Sequence, residues 1–436
     1  MSKQNIITAI DVGSDKVATL IAAYGGDDPQ LRVLGVSAVP SFGVRKSVIV
    51  DLEAVLGSIE QSLNAAERMA GLDVNSAYVS VCGTHIRSRN SKGVVAVANP
   101  DQEIDTTDVD RVIEAARAVS LPSERQIIHV VPRYFKVDSQ DGIRDPIGMT
   151  GVRLESEAHI ITGLSTSLKN LEKSISDLGV TVDGFVFAGL AVAEVTLTDT
   201  EKELGVVALD LGAGTSSFCV YVDGALEYSG FLPIGARHIT QDLALGCRIS
   251  LASAEKIKLY LSNTKEEKLK PLSGESKKDF NKRKKEADVL DLEQLDLGES
   301  TEELTRSFLI KRVMYPRMQE IIGMLGEKLD KEGLISAVPA GVVISGGGAE
   351  TIDLIPIAKH VLGLPARVGY PEQLNGLIGE VKTPGFATSV GLLVYAKRQG
   401  AGDTRSHKFN FGSVLKGLNL GKLGKKIISL FRKLLP

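Results

Sequence analysis

The fold follows from the stretch VVALDLGAGT, residues 206–215. Four apolar residues lead into Asp210, a turn with two glycines follows, and residues 217–222, SFCVYV, return to the composition of a β-strand. This pattern predicts a strand, a tight turn and a second strand. Gly212 and Gly214 allow backbone angles that other residues avoid, so the amides of the turn can approach an anion closely.

Asp210 adds a chemical signal, because a carboxylate at the end of a buried strand is costly without a cation or hydrogen-bond donors. The pattern therefore indicates a metal and phosphate site, and a hairpin turn with a solvated aspartate is the plainer alternative. Residues 6–18, IITAIDVGSDKVA, weaken that alternative because they repeat the same order. A strand reaches Asp11, Gly13 and Ser14 form the turn, and β-type residues follow. Two such hairpins favour a duplicated architecture with a phosphate clamped between the halves.

Composition limits the class of protein. The chain has 436 residues, 43% hydrophobic and 24% charged residues, and a net charge of −3. These values are typical of a globular protein with more than one domain, and they give no basic field that would attract nucleic acid. Three distant cysteines, Cys82, Cys219 and Cys247, form neither a metal-binding pair nor a disulfide framework, which favours a reducing cytoplasm. No segment has the pattern of a signal peptide or a bilayer-spanning helix.

Two segments differ from the rest of the chain in their sequence pattern. Residues 87–156 contain short strands around one helix, 107–119, which begins with a capping-type sequence at Asp105. We interpret this segment as a small inserted α+β domain. Residues 265–285 are mostly basic, and residues 286–303 contain acids but no lysine or arginine. This charged loop, 263–303, is predicted to be a disordered surface segment. A long helix is predicted to follow over residues 308–329.

A third glycine turn lies in residues 341–350, GVVISGGGAE, which predict a strand, a turn and a helix from Thr351. Three successive glycines let a flat ring or a phosphate lie against the backbone. Helices rich in small residues begin at Ala188 and Pro384, which again indicates duplication. A dinucleotide-binding fold is excluded because the first two glycine turns open strands rather than helices, and a P-loop is excluded because no Gly-Lys-Ser/Thr sequence follows them.

The last 22 residues, 415–436, have the pattern of an amphipathic helix that follows a polar linker, 398–414. One face carries Leu423, Ile427, Leu430, Phe431 and Leu434, and the cations Lys425, Lys426, Arg432 and Lys433 lie largely elsewhere. Such a helix binds an anionic membrane surface through its apolar face and its cations. The alternative is a terminal helix that docks on its own core. Because one such helix binds reversibly, many on one filament would bind by avidity.

Together these motifs resemble the actin-like ATPase superfamily and, within it, the FtsA family of bacterial cell-division proteins. The two aspartate hairpins, the turn at Ser345–Gly348 and the two small-residue helices occur in the superfamily's order. The sequences FAGLA at 187–191, ELGVV at 203–207 and GVRL at 151–154, the position of the insert and the tail match FtsA. The resemblance implies an α/β, duplicated two-lobe actin-like fold with an inserted small α+β subdomain and a C-terminal amphipathic helix.

The resemblance also implies boundaries for the parts of the chain. The first-lobe core would comprise 1–86 and 157–203, interrupted by the inserted subdomain 87–156. The second-lobe core would comprise 204–232 and 338–397, and its small subdomain would be 233–337. The linker 398–414 and the membrane-targeting helix 415–436 would complete the chain.

Site residues follow by position in the motifs. The cofactors would be ATP and Mg²⁺, with Asp11 and Asp210 holding the metal largely through water. The phosphates would be bound by Gly13, Ser14, Lys16, Gly212, Gly214 and Thr215. The ribose and base would contact Glu255 and Lys258, with Gly346, Gly347 and Gly348 beneath the adenine. Actin-like ATPases orient the attacking water with Gln or Glu at the start of the first connecting helix, where this chain has Ala188, Gly189 and Leu190. We therefore expect slow hydrolysis, with ATP acting as a conformational and assembly signal, and we assign no catalytic residue.

Partners are implied by the same resemblance. The chain would polymerise, tether FtsZ to the cytoplasmic face of the bacterial inner membrane at the division site, and help to recruit later division proteins. The FtsZ C-terminal peptide would dock on the small subdomain of the second lobe, at Arg317 and Arg306. Two alternatives remain within the superfamily. One is a chaperone-like or sugar-kinase-like enzyme, and the other is a PilM-type pilus-assembly protein, neither of which needs a basic amphipathic tail.

Overall fold

A computed structural model describes residues 5–25, 28–98, 103–264, 269–291, 295, 297, 304–372, 374–376 and 378–400. Residues 1–397 form one compact unit. The strands are β1 Asn5–Val12, β2 Lys16–Gly25, β3 Asp28–Pro40, β4 Val44–Arg45, β5 Val48–Ile49, β6 Ser76–Val81, β7 Arg87–Ala96, β8 Arg125–Val137, β9 Gln140–Ile143, β10 Arg153–Leu164, β11 Thr181–Phe187, β12 Val206–Leu211, β13 Ser216–Val222, β14 Ala225–Leu232, β15 Gly341–Ser345, β16 Ala366–Val368 and β17 Leu374–Gly376.

The α-helices are α1 Leu52–Ala70, α2 Thr106–Arg117, α3 Ser165–Ser176, α4 Ala188–Thr196, α5 Asp199–Leu204, α6 Arg237–Cys247, α7 Leu251–Asn263, α8 Lys277–Asp288, α9 Arg306–Phe308, α10 Tyr315–Lys331, α11 Leu354–Leu362, α12 Ile378–Val381 and α13 Ala387–Gly400. A π-helical turn spans Leu309–Met314, and 3₁₀ turns span Ile335–Ala337 and Pro384–Phe386. Within the described residues, no helix combines the length and the apolar character that a membrane crossing requires.

Two sheets have the same plan, which confirms the predicted two-lobe α/β fold. The first has the order β11-β6-β1-β2-β3-β17, and the second has the order β14-β13-β12-β15-β16. In each, an antiparallel hairpin, β1–β2 or β12–β13, joins a parallel neighbour, β6 or β15. Asp11 pairs with Ala18 and Asp210 pairs with Ser217, so each aspartate lies one residue before the end of its strand. The fold therefore places the two aspartates at equivalent positions, near the ends of equivalent central strands of the two sheets.

The small-residue helices α4 and α13 pack against each other, and their apolar residues share one core cluster with the first sheet. Strand β17 pairs with β3, so it also belongs to the first sheet. The last part of the range predicted for the second-lobe core, 338–397, therefore packs on the first lobe instead. Helix α13 also continues to Gly400, which is two residues beyond the predicted start of the linker at residue 398. The last part of the range 338–397 was assigned to the wrong lobe because a three-residue strand such as β17 is too short to show a periodic pattern in the sequence.

The inserted domain is a four-stranded sheet, β7-β10-β8-β9, covered by helix α2. Helix α2 begins with the predicted cap, in which the backbone N–H of Asp108 donates to the Asp105 carboxylate at 2.9 Å. The predicted end of the insert at residue 156 is wrong, because β10 runs unbroken to Leu164 and pairs with both β7 and β8. Strand β8 runs through Pro132, and its pairing with β10 is irregular near that residue.

The predicted disorder of the charged loop 263–303 is wrong for its middle part. Helix α8 begins at a Ser276 cap, whose hydroxyl accepts from the Asp279 N–H at 3.2 Å, and Arg283 pairs with Glu275 at 2.7 Å. Leu290 then enters the core of the second lobe. These local contacts offset the low apolar content on which the prediction of disorder relied.

The long helix predicted over 308–329 is interrupted by the π-helical turn Leu309–Met314. Pro316 explains the interruption, because proline has no N–H to donate to the carbonyl four residues earlier and its ring clashes with that carbonyl. The amphipathic tail, residues 415–436, and most of the linker, residues 401–414, lie outside the described residues.

The close packing of α4 against α13 can be tested by substitution. A Cβ atom at Gly391 of α13 would lie 2.0 Å from the carbonyl oxygen of Ala191 of α4. Gly391→Ala forces the helices apart, and we expect it to lower the free energy of unfolding by about 1–3 kcal/mol. Gly323→Ala is the matched control, since a Cβ there, within helix α10, meets no atom within 4 Å. It should raise stability by up to about 1 kcal/mol. Equal effects of both variants on denaturant unfolding would contradict the packing described here.

Candidate nucleotide site

A cavity of about 540 Å³ lies in the cleft between the two sheets. It is lined by all the residues that were predicted to bind ATP and metal. These are Asp11, Gly13, Ser14, Lys16, Asp210, Gly212, Gly214, Thr215, Glu255, Lys258, Gly346, Gly347 and Gly348. Ala188, at the predicted position of the water-orienting residue, also lines the cavity. Segments that are separated by more than 330 residues in sequence therefore meet at one cleft.

The two hairpin turns face each other across the cavity and are tightly closed. In the first, the Gly13 N–H donates to the Lys16 carbonyl at 3.0 Å. In the second, a Cβ at Gly212 would lie 2.7 Å from the Thr215 carbonyl oxygen. A Cβ at Gly214 would lie 2.8 Å from the Ser14 hydroxyl of the opposite hairpin. Glycine is therefore required for the turns and for the approach of one hairpin to the other.

Two carboxylates line the cleft, and neither has an ion-pair partner among the described residues. Burial raises the pKa of Asp11, and the hydrogen bond from Ser80 at 2.6 Å and the charge of Lys16 oppose that shift. Burial and the neighbouring charge of Asp11 raise the pKa of Asp210 to about 7. The contacts of Asp210 are longer, 3.4 Å from Ser217 and 3.5 Å from Thr388. The paired negative charge is therefore unfavourable in this site unless further positive charge neutralises it.

The charge of Lys16 acts on both carboxylates. Its ammonium lies 3.8 Å from the centre of the Phe386 ring, and burial lowers its pKa against the opposing charges of Asp11, Asp15 and Asp210. A lysine held at the mouth of two glycine turns provides a point charge for a phosphate.

The donor set fits Mg²⁺. In the part of the chain that the structure describes, no three His, Cys, Asp or Glu side chains are arranged to hold a metal ion. Two carboxylates are nevertheless what Mg²⁺ uses in nucleotide sites, because it keeps several waters and takes its other ligands from the phosphates. The raised pKa values of Asp11 and Asp210 agree with this reading, since a divalent cation would neutralise both groups.

Helix α7 adds an ion pair to the lining of the cavity. Helix α7 presents Glu255 and Lys258, which form an ion pair at 2.7 Å, and the Lys258 ammonium also donates to the Thr240 hydroxyl at 3.1 Å. Lys258 is only 7% exposed, so the pair is held in one geometry. Gly346 lines the same cavity next to the second hairpin, since it has a φ of 86° and a Cβ there would lie 2.4 Å from the Asp210 carboxylate. Only glycine fits this position.

Several lining residues were missed by the sequence analysis. Ser80 bonds Asp11, and Thr388 bonds Asp210. Ser47 bonds both Ser14 and Thr215, and Cys82 bonds Ser47 and Thr215. Thr388 lies in a small-residue helix whose packing role concealed a polar contact to the site. Ser47 lies in a two-residue turn between two-residue strands, which has no recognisable motif.

The two arginines predicted to contact a partner lie outside the cleft. Arg317 forms ion pairs with Asp242, at 2.6 and 2.9 Å, and with Glu320. Arg306 donates to the carbonyls of Leu261 and Thr264. The cationic and apolar tail residues that were predicted to bind membrane lie outside the described residues.

Comparison of the fold with solved structures supports the architecture. The structure resembles a PilM–PilN type IV pilus biogenesis complex chain with a TM-score of 0.60 and 13% identity, covering 90% of this chain and 98% of the other. It resembles MreB 5 of Spiroplasma citri, solved with AMPPNP bound, with a TM-score of 0.51 and 12% identity, covering 90% and 96% of the two chains. Similarity at this level establishes the actin-like fold.

Sequence comparison establishes the family. Residues 83–162 match the family model of the SHS2 domain inserted in FtsA, and residues 207–391 match that of cell division protein FtsA. The chain is 36% identical to the FtsA of Borreliella burgdorferi over 404 residues, which cover 91% of this chain and 92% of the relative. It is 33% identical to the FtsA of Pseudomonas aeruginosa over 391 residues, 89% of each chain. The chain belongs to the FtsA family of cell-division proteins.

Proposed function

We propose that the chain binds ATP with Mg²⁺ in the cleft, polymerises on the cytoplasmic face of the bacterial inner membrane and tethers FtsZ there during division. One observation supports the proposed nucleotide binding most directly. A single cavity is lined by the two aspartate hairpins, the Glu255–Lys258 pair and the Gly346–Gly348 turn. In this arrangement Lys16 and the hairpin amides bind the phosphates. The Glu255–Lys258 pair fixes the ribose and base, and the glycine turn lies beneath the adenine. Bound Mg²⁺ would supply charge neutralisation between Asp11 and Asp210.

The nucleotide acts mainly as a signal in this proposal. Both hairpins must contact the same phosphate chain, so binding couples the two lobes through α4 and α13. Water activation needs a side chain that can orient the water, and the start of α4 offers the methyl group of Ala188 and no side chain at Gly189. Slow hydrolysis would keep the triphosphate state long enough for filaments to assemble.

The partner contacts follow the family. The FtsZ C-terminal peptide would dock near Arg317 and Arg306 on the small subdomain of the second lobe, and an acidic group of the peptide would exchange with Asp242 at Arg317. Self-association would multiply the weak membrane affinity of each amphipathic tail. Later division proteins would bind the exposed sheet of the inserted domain. The apolar and cationic faces in the sequence of the tail support this localisation.

The variant Asp210→Asn tests the stability of the ligand-free protein and the binding of Mg·ATP separately. Asp210→Asn should stabilise the protein without nucleotide, because it removes a charge whose pKa is raised to about 7 in the folded state. The cost of that charge grows as pH rises from about 4 to about 7, so the gain should be larger at pH 8 than at pH 5. One pKa unit corresponds to about 1.4 kcal/mol. The same variant should lose the rise in melting temperature that Mg·ATP gives the unmodified protein.

Asp15→Asn is the matched control, because Asp15 lies in the turn of the first hairpin but is 68% exposed. It should show no such pH-dependent gain. If Asp210→Asn destabilised the protein at pH 8 and still bound Mg·ATP, both the charge argument and the metal site would be wrong.

Turnover provides a second test. We expect phosphate release from ATP by the purified full-length protein to be well below about 1 per second, the lower end of the range for kinases. The reason is the missing water-orienting side chain at the start of α4. Steady-state phosphate release, measured with and without anionic vesicles, checks this, and a rate of many per second would contradict it.

Membrane binding is tested with charge on the two faces of the tail. Phe431→Glu places a carboxylate on the apolar face, and we expect it to weaken co-sedimentation with anionic vesicles about tenfold or more, since burial of one large apolar side chain contributes about 1.5–3 kcal/mol. Ser429→Glu changes the net charge equally on the opposite face and should have a much smaller effect. Equal loss in the two variants would indicate attraction by charge alone, and no loss in either would refute the anchor.

A further inference from the structure

The turn between β4 and β5 has an unusual backbone for its sequence. Lys46 and Ser47 have φ values of 48° and 57°, so both residues are left-handed. Two-residue hairpin turns of this kind favour Asn-Gly or Gly-Gly, because other residues are strained by about 1–2 kcal/mol at each such position. Strain of this kind persists where the surrounding structure uses it, often at a binding site.

The contacts of Ser47 explain what the strained turn achieves. The backbone N–H of Ser47 donates to the Ser14 hydroxyl at 2.9 Å, and the Ser47 hydroxyl is 2.8 Å from the Thr215 hydroxyl. Ser14 belongs to the first phosphate hairpin and Thr215 to the second. Ser47 therefore contacts both halves of the predicted clamp with two atoms of one residue. Asn-Gly in this turn would relieve the strain but would place no hydroxyl between the hairpins.

The surroundings fix Ser47 in this position. A Cβ at Gly214 would lie 3.3 Å from the Lys46 Cα, so the turn packs directly on the second hairpin. The Cys82 thiol donates to the Ser47 hydroxyl at 3.0 Å, and burial raises the pKa of Cys82 to about 11, so this thiol stays neutral at physiological pH. The cluster therefore consists of neutral hydrogen-bonding groups that can face an anion without adding negative charge.

The place of Ser47 along the cleft is equally informative. Ser47 lines the same cavity as Glu255, Lys258 and the two hairpins. Ser47 is bonded to the turn residues of both hairpins, Ser14 and Thr215, rather than to either aspartate. With the ribose and base at Glu255 and Lys258 and the phosphates at the hairpins, as proposed above, the terminal phosphate is the group expected beside Ser47.

We propose that Ser47 is a further phosphate-binding residue, whose hydroxyl binds the terminal phosphate of ATP together with Ser14 and Thr215, while its amide keeps the hydrogen bond to the Ser14 hydroxyl. The inference rests on the proposed binding of ATP in this cleft, and it adds the residue that distinguishes a triphosphate from a diphosphate. On binding, the Ser47 hydroxyl exchanges its contact with Thr215 for a phosphate oxygen. The β4–β5 turn then becomes the third element of the clamp beside the two aspartate hairpins.

The test compares two variants that remove the hydroxyl. Ser47→Ala keeps the Cβ and the backbone strain, whereas Ser47→Gly removes the strain as well and should therefore fold readily. Affinities of the full-length protein for Mg·AMPPNP and Mg·ADP are measured by titration calorimetry. We expect both variants to bind Mg·AMPPNP about tenfold or more weakly, as for a lost hydrogen bond to a charged group, and to bind Mg·ADP within about twofold of the unmodified protein.

Arg248→Gly is the matched control for the glycine variant. Arg248 has a similar φ of 56° but lies at the end of α6, outside the cavity. It should leave both affinities unchanged. Equal binding of Mg·AMPPNP by Ser47→Ala, Ser47→Gly and the unmodified protein would overturn the inference, as would an equal loss for AMPPNP and ADP. If the unmodified protein bound neither nucleotide, the proposed function itself would fail, so the two failures are distinguishable.

Discussion

The structure depends on two half-buried carboxylates that face the same cleft. Asp11 and Asp210 lie at equivalent positions of two duplicated sheets, and burial raises the pKa of both. Placing like charges in a site with few donors is unfavourable for folding alone. Under the proposed function, a bound cation and phosphate chain would make the arrangement favourable, and ligand binding would then be coupled to the relative position of the two lobes.

The surrounding residues hold these carboxylates in place and connect them to the rest of the molecule. The hairpins end at tight glycine turns, Ser80 fixes Asp11, and Gly346 leaves room beside Asp210. Helices α4 and α13 pack closely enough to exclude a Cβ at Gly391, and α4 also packs on β12 and β13 of the second sheet, so α4 contacts both lobes. The inserted domain is tied to the second lobe as well, because the buried His159 bonds Ser229 of β14 at 2.8 Å and the Ser88 hydroxyl donates to the carbonyl of the same residue at 2.6 Å. The inserted domain is therefore connected to both lobes through described contacts.

The sequence predicted those features that depend on local chemistry. Both aspartate hairpins, the glycine turn after β15 and the cap of α2 were found because strand periodicity, glycine and capping residues act over a few positions. The errors arose where contacts between distant segments decide the structure. Strand β17 joins the first sheet by pairing with β3, β10 extends to Leu164 because β7 and β8 pair along it, and α8 forms in a segment with little apolar content. Ser47 was missed for the same reason, since its role depends on residues 33 and 168 positions away.

The central claim is that one nucleotide is clamped between the two aspartate hairpins. A crystal structure of the full-length protein with Mg·AMPPNP tests it most directly. The account predicts the metal between Asp11 and Asp210, largely water-ligated, the phosphates against both glycine turns, and the adenine between the Glu255–Lys258 pair and Gly346–Gly348. A nucleotide bound to one lobe only, or a metal away from both carboxylates, would contradict it.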